Sequence, residues 1–417
     1  MRKNSIIKIS FANKSCFGEI TLPPSKSISN RLLIIKALCE KDFSIQNISK
    51  STDTKVLEDA LGNINKTEII NTGDAGTAMR FLTAYLAITP GIRTLTGSER
   101  MKKRPLKELV DALLNLGADI QYLEKAGYPP LKITGKKLSG GEVQINSDIS
   151  SQYISALMMI APKLPEGLNI QLNKDVVSMP YIIMTADLMK QFDIDISFNK
   201  NNISIKPGTY NAIDTLVEPD WSSASYFYSI LSLATDGSIY MPGLKEDSIQ
   251  GDKILHKWFE KLGVISEFNS DGLTIKKIKS ISQSSLNFNF INNPDLAQTI
   301  AVCCACAGLN ADFTGLNTLR IKETDRISAL KNELKKINGD FVQKDMNHYF
   351  LQCDKEADFS KLSPTVKTYN DHRMAMSFAA IAMKCKSVYI ENPDVVKKSY
   401  PDFWDNLQKL GFDIDRN

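Results

Sequence analysis

The sequence predicts an α/β protein of two domains, each built from three β-α-β-α-β-β repeats. Three observations predict it. First, a polar run bearing charge and hydroxyls stands directly before a wholly apolar helix six times. Starting from Lys26, Gly76, Ser151, Ser222, Leu296 and His372, the steps are roughly 50, 75, 71, 74 and 76 residues, the signature of one supersecondary pattern used repeatedly. Second, an amphipathic helix with its own start and stop residues follows each apolar one. Third, 417 residues exceed what one hydrophobic core usually supports, so two domains of about 200 residues each are expected.

Taken in order, residues 5–11 (SIIKISF) and 18–22 (GEITL) read as strands. The apolar helices follow SKSISNR (25–31), DAGTAMR (74–80), SSQYIS (150–155), DWSSAS (220–225), DLAQT (295–299) and DHR (371–373). Helices that are hydrophobic on all faces are buried. The amphipathic helices are expected at 53–61, 105–116, 180–192, 252–262, 325–337 and 401–410. Asp, or Pro in the first turn, opens each of them, and a glycine follows five of the six, as helix start and stop chemistry requires. Short alternating strands come next, among them ADIQYL, DIDISF, VISEF, DFVQ and FDIDR.

Composition narrows the function. With 43% hydrophobic and 24% charged residues the chain reads as soluble and globular. A net charge of +4 is small for this length and argues against a nucleic acid or a membrane surface as the main partner. No apolar run approaches the ~18 residues that span a bilayer. The basic N-terminus is interrupted by Lys8 and Asn13, so no signal peptide is expected. Seven cysteines, without paired metal spacing, are expected as free thiols in a reducing compartment, with Cys303, Cys304 and Cys306 as small core residues. A cytoplasmic enzyme is the expectation.

The chemistry sits at helix starts, where free N–H groups and positive dipole character favour an anion. The densest stretch is RIKETDR (320–326), with RMKKRP (100–105), SMPY (178–181) and KKSYPD (397–402) similar to it. Taken alone, RIKETDR also fits a capped, solvated helix start. Arg104, Lys322 and Lys398, however, are expected in or near first turns, where a cation opposes the dipole. Repeated local conflict of this kind points to function. Arginine forks suit carboxylate and phosphate, and lysine adds a point charge, so the implied ligand is a small phosphate-bearing polyanion.

The strings PPSKSISNR, DAGTAMR, RMKKRP, SSQ, PDLAQT, RIKETDR, TYNDHRMAM and KKSYPD, in this order, resemble the 5-enolpyruvylshikimate-3-phosphate synthase family over essentially the whole chain. The resemblance implies an inverse α/β barrel fold with buried helices at the centre of each domain. It implies hinges near residues 21 and 218, so that 22–218 is an inserted domain. Residues 1–21 with 219–417 then form a discontinuous domain, one of its repeats completed by the N-terminal strand, with the active site in the cleft. The implied activity is transfer of the enolpyruvyl group of phosphoenolpyruvate to the 5-hydroxyl of shikimate 3-phosphate with release of phosphate, on the route to chorismate and the aromatic amino acids. No metal, no organic cofactor and a monomer are expected.

By resemblance, Lys26, Ser27, Arg31, Ser150, Ser151, Gln152, Ser178, Tyr181, Asp295 and Lys322 are expected to contact shikimate 3-phosphate. Lys26, Gly76, Arg104, Gln152, Arg326, Arg373 and Lys398 are expected to contact phosphoenolpyruvate. Addition of an alcohol to C2 of phosphoenolpyruvate needs a proton delivered to C3 and one taken from the hydroxyl. Asp295 is implied as the base for the hydroxyl, with Glu323 and Lys26 sharing the C3 proton. Without the resemblance, Asp295 reads equally as an N-cap of a helix beginning at Leu296. His372 is expected to support the transferred phosphate, while His256 and His348 are expected at the surface. Asp74 and Thr318 stand where the family commonly has Asn; Asp74 is expected to cap a helix over 75–88 instead. The alternatives are a transferase of the same fold acting on UDP-N-acetylglucosamine, whose opening motif differs, and a non-catalytic anion-binding relative.

Overall fold

Helix capping and hydrophobic patterning set an alternation of two helix types in the computed structural model, which describes residues 5–146, 150–173, 176–278 and 286–416. Among these residues the helices are α1 Lys26–Leu38, α2 Thr52–Gly62, α3 Gly76–Ile88, α4 Lys107–Asn115, α5 Ser151–Ile160 and α6 Met179–Gln191. They continue with α7 Trp221–Leu233, α8 Leu255–Glu260, α9 Ala297–Cys306, α10 Arg326–Leu334, α11 His372–Ala379 and α12 Phe403–Lys409. Odd-numbered helices are the buried ones; α9, for instance, has every residue from Ala297 to Cys306 buried. Even-numbered helices bury one face, as α4 does through Leu109, Val110, Ala112 and Leu113. Each fully buried Leu, Ile or Phe contributes about 1.5–3 kcal/mol, so the buried helices are the main apolar investment of the chain.

Two units divide the chain, Pro24–Val217 in one and Met1–Pro23 with Glu218–Asn417 in the other. In the first, α1, α3 and α5 pack on one another; in the second, α7, α9 and α11 do so. Among the described residues five sheets have four strands, and each repeats one scheme: a parallel pair followed by two antiparallel pairings. A sixth sheet is reduced to the parallel pair Ile45–Gln46 and Thr215–Leu216. The N-terminal residues add two strands to the second unit. Ile6–Ser10 lies antiparallel between Val388–Glu391 and Asp413–Arg416, and Ser15–Glu19 runs parallel to Asp236–Pro242.

Local boundaries differ from expectation in instructive ways. The second strand is Ser15–Glu19 rather than 18–22, because its parallel partner Asp236–Pro242 sets the register. The α1 helix starts at Lys26 instead of following SKSISNR, so that stretch supplies its cap residue and first turns. Helix stops follow the left-handed rule but not always through glycine. Gly117, Gly263 and Gly411 adopt positive φ, whereas Asn338 (φ 56°) and Asp193 (φ 62°) take that role after α10 and α6. The residues 252–262 break into a 3-10 turn, Gly251–Ile254, followed by α8. Cys303, Cys304 and Cys306 are buried core residues, and burial pushes their thiols up from the ordinary value. Among the described residues no helix is long and apolar enough to cross a membrane.

Candidate active site

In the unit Pro24–Val217 the starts of the buried helices are tied together by side chains. Lys26, the first residue of α1, reaches the buried Asp53 at 3.2 Å. Arg31, one turn on, is saturated by the protein. Its Nε donates to Thr185 Oγ1 (2.7 Å), and its terminal nitrogens donate to the carbonyls of Ser27 (2.8 Å) and Tyr181 (3.2 Å) and to Ser155 Oγ (3.2 Å). Four of the five guanidinium N–H groups are so used. Burial moves the Arg31 guanidinium down to about 10. Arg31 therefore orients Ser27 and Tyr181 at least as much as it offers charge. Gln152 donates to Thr77 Oγ1 at 3.1 Å, joining the starts of α5 and α3, and Ser150 caps α5 by accepting from the Gln152 N–H. Ser151 and Ser178 are buried, the latter with φ 57° immediately before α6.

Gly76 opens α3 against two guanidinium groups. A methyl at this position would lie 2.6 Å from one terminal nitrogen of Arg104 and 2.7 Å from one of Arg80. Arg80 donates to the Gly76 carbonyl at 2.8 Å and lies over the Tyr153 ring. Asp74 does not cap α3, whose cap residue is Ala75; its carboxylate instead accepts from Ser98. Asp74 stands exposed one residue before the cap position, which Ala75 takes.

The other unit holds a denser network. Asp295 accepts from Arg326 (2.9 Å) and Arg373 (2.7 Å), with the Lys322 ammonium 3.8 Å away. Glu323 lies between Arg326 (3.0 Å) and Lys398 (3.3 Å). Arg326, 1% exposed, also grips the fully buried Asp371 at 2.7 Å. Burial opposes charge on Arg326, but Asp371, Glu323 and Asp295 more than offset it and raise its pKa. Burial likewise disfavours the Asp295 carboxylate; Arg373, Lys322 and Arg326 outweigh this and hold it far below the usual carboxylate range. Asp371 caps α11 by accepting from the Arg373 N–H, and Ser225, Thr299 and Ser377 link α7, α9 and α11 through hydroxyl contacts of 3.3 and 3.1 Å.

Several expectations change here. Asp295 does not cap a helix: it sits in the 3-10 turn Pro294–Leu296, and its carboxylate faces cations rather than backbone N–H groups. Arg104, Lys322 and Lys398 are not in first helical turns. They end the 3-10 turns Met101–Lys103, Asn317–Ile321 and Pro393–Lys398, several residues before α4, α10 and α12 begin. The conflict with the helix dipole is real but falls on Lys26, Arg326 and Arg373, which do occupy first turns. His372 is 1% exposed, its Nδ1 3.7 Å from Asp371. His348 is not a bare surface group; it lies 2.5 Å from Asp312 and is one-third exposed. Thr318 is buried in the 3-10 turn preceding Lys322.

Residue reading missed the carboxylates behind the cations, namely Asp53 and Asp371, although both stand at helix starts. It also missed Asp252, 3% exposed, which accepts from Ser222 (2.5 Å) and Asn293 (3.0 Å). Burial and the nearby Asp295 charge raise the Asp252 pKa. Among the described residues no group of three or more His, Cys, Asp or Glu could hold a metal ion.

Fold and clusters together describe a two-unit α/β protein that gathers cations and hydroxyls at helix starts and 3-10 turns, the chemistry of anion recognition. The family model described as EPSP synthase (3-phosphoshikimate 1-carboxyvinyltransferase) matches residues 12–69 and 62–407, and the chain belongs to that family. A 3-phosphoshikimate 1-carboxyvinyltransferase of Bacteroides fragilis is 47% identical over 396 residues, covering 95% of each chain. One from Colwellia psychrerythraea is 36% identical, covering 94% of this chain and 96% of its own. The solved EPSP synthase from Acinetobacter baumannii superposes with a TM-score of 0.78 at 20% identity, covering 99% of this chain and all of that one, which supports the fold.

Proposed function

We propose that this chain transfers the enolpyruvyl group of phosphoenolpyruvate to the 5-hydroxyl of shikimate 3-phosphate, releasing phosphate. The observation that carries the reading is the network in which two carboxylates, Asp295 and Glu323, are held among Lys322, Arg326, Arg373 and Lys398. Anion binding alone would be served better without those carboxylates, which repel the ligand; proton transfer gives them a purpose.

Shikimate 3-phosphate draws on Lys26, Ser27, Arg31, Ser150, Ser151, Gln152, Ser178 and Tyr181, with Asp295 and Lys322. Phosphoenolpyruvate draws on Lys26, Gly76, Arg104, Gln152, Arg326, Arg373 and Lys398, with His372 in support. The 5-hydroxyl oxygen forms a bond to C2 while its proton passes to Asp295 and C3 receives a proton from Glu323 or Lys26. The tetrahedral intermediate then loses a C3 proton, the C2–O bond to phosphate breaks and phosphate departs. Without substrate, Asp295 is a weak base because Arg373, Lys322 and Arg326 stabilise its anion. The incoming carboxylate and phosphate compete for these same cations, which returns basicity to Asp295 when it is needed.

The test is phosphate release from phosphoenolpyruvate with shikimate 3-phosphate, run beside the same assay with UDP-N-acetylglucosamine. Release with the shikimate ester alone is expected. Release only with the nucleotide sugar, or with neither acceptor, overturns the reading.

A further inference from the structure

A buried carboxylate outside the site has no place in the reaction above. Glu333, 1% exposed, lies on α10 seven residues after Arg326, and so on the same helical face two turns away. One of its oxygens accepts from the Tyr369 hydroxyl at 2.9 Å, the other from the Lys367 backbone N–H at 3.1 Å and from the Lys336 ammonium at 2.7 Å. Lys336 in turn donates to the Thr365 carbonyl at 2.8 Å. Tyr369, Lys367 and, through Lys336, Thr365 lie along residues 365–369, the segment that leads directly into Asp371 and Arg373.

That segment needs holding. Tyr369 (φ 53°) and Asn370 (φ 57°) are consecutive left-handed residues, a conformation that non-glycine residues keep only when surrounding contacts impose it. Immediately after them, Asp371 takes the Arg326 fork through both carboxylate oxygens (2.7 and 3.4 Å) and caps Arg373, whose own guanidinium meets Asp295. The α10 helix therefore grips one loop at two points, through Arg326 at its start and Glu333 near its end.

We propose that Glu333, acting through Tyr369 and the Lys367 N–H, is a positioning residue that sets the strained 369–370 turn and thereby the placement of Asp371 and Arg373. Glu333 touches no reacting atom. Its effect reaches the phosphoenolpyruvate side of the reaction through Arg373, a consequence that rests on the function proposed above. Shikimate 3-phosphate, drawn mainly to residues of Pro24–Val217, is affected far less.

The experiment uses the full chain with Glu333→Ala, Glu333→Gln and Tyr369→Phe. Steady-state kinetics vary each substrate separately, and amide exchange of the ligand-free protein follows peptides covering 367–373. Loss of a hydrogen bond to a charged group is expected to lower kcat/KM for phosphoenolpyruvate about tenfold in Glu333→Ala and Tyr369→Phe, while KM for shikimate 3-phosphate moves less than about twofold. Glutamine can accept from Lys367 and donate to Tyr369, so Glu333→Gln is expected to recover most of the loss. Exchange at 367–373 accelerates in Glu333→Ala and Tyr369→Phe while that of α9 and α7 does not. Equal losses for both substrates, or unchanged exchange at 367–373 in both variants, overturn the proposal. If the unmodified protein fails to use these substrates, the proposed function falls, and the exchange data alone decide whether the clamp exists.

Discussion

At the scale of residues, the governing fact is that two carboxylates share four cations. Asp295→Asn and Glu323→Gln are each expected to cut turnover by about two to four orders of magnitude, with substrate binding weakened less, because each removes a group proposed to transfer a proton. Steady-state kinetics with near-normal turnover in either variant would remove that residue from the chemistry. Asp295 also carries a stability signature. Its folded pKa is lowered from 3.8, so its ion pairing stabilises the fold fully above pH 3.8 and is lost as pH falls through the depressed folded value. Removing the negative charge leaves Arg373, Lys322 and Arg326 facing one another, which costs about 2 kcal/mol. Urea unfolding of Asp295→Asn beside the unmodified protein should show that deficit constant from about pH 5 to 8 and shrinking only in stronger acid.

At the scale of elements, helix starts decide both stability and recognition. Asp325 caps α10 by accepting from the N–H groups of Ile327 and Ser328, each at 3.1 Å. Asp325→Ala is expected to lower unfolding free energy by about 1 kcal/mol, read from denaturant midpoints. The start of α3 is different in kind, since Gly76 is there to leave room. Because the nearest atoms to an added methyl are the guanidinium ends of Arg104 and Arg80, Gly76→Ala acts by displacing Arg104 rather than by jamming the backbone. A ligand that extends further toward that guanidinium suffers more. Affinity for a phosphonate analogue longer than phosphoenolpyruvate should therefore fall by more than the KM for phosphoenolpyruvate rises. Equal changes in the two would show that the methyl does not select by length.

For the whole molecule, the residues proposed for the two substrates are distributed over both units, so each substrate is expected to bias the binding of the other. The cations assigned to phosphoenolpyruvate belong to both units, Lys26 and Arg104 to one and Arg326, Arg373 and Lys398 to the other. Shikimate 3-phosphate should tighten phosphoenolpyruvate, and by linkage phosphoenolpyruvate should tighten shikimate 3-phosphate by the same factor. Titration calorimetry on the slow Asp295→Asn variant, with each ligand alone and with the other saturating, should give equal coupling factors. Independent binding of the two ligands counts against the coupling.

What could be read from residues alone was whatever acts within a few positions of the chain. The six apolar helices, their spacing, and the alternation with amphipathic helices were legible because burial on all faces and 3.6-residue periodicity are written locally. The strand VISEF appears at Val264–Phe268 as expected, since alternation and Gly263 mark it without outside help. Asp295, Lys322, Glu323, Arg326, Arg373 and Lys398 were each visible in a motif, yet which carboxylate meets which cation was not. Arg326 to Asp371 spans 45 positions and Arg31 to Thr185 spans 154, and no local rule links residues that far apart. Tertiary packing decided that Asp295 faces three cations instead of capping a helix and that Arg31 spends its donors on the protein. It also decided that, of the cations singled out for the site, Lys26, Arg326 and Arg373 are the ones in first turns. The physical reason is the same in each case: caps and periodicity depend on backbone geometry over about one helical turn, whereas charge pairing and burial depend on which helices the fold brings side by side.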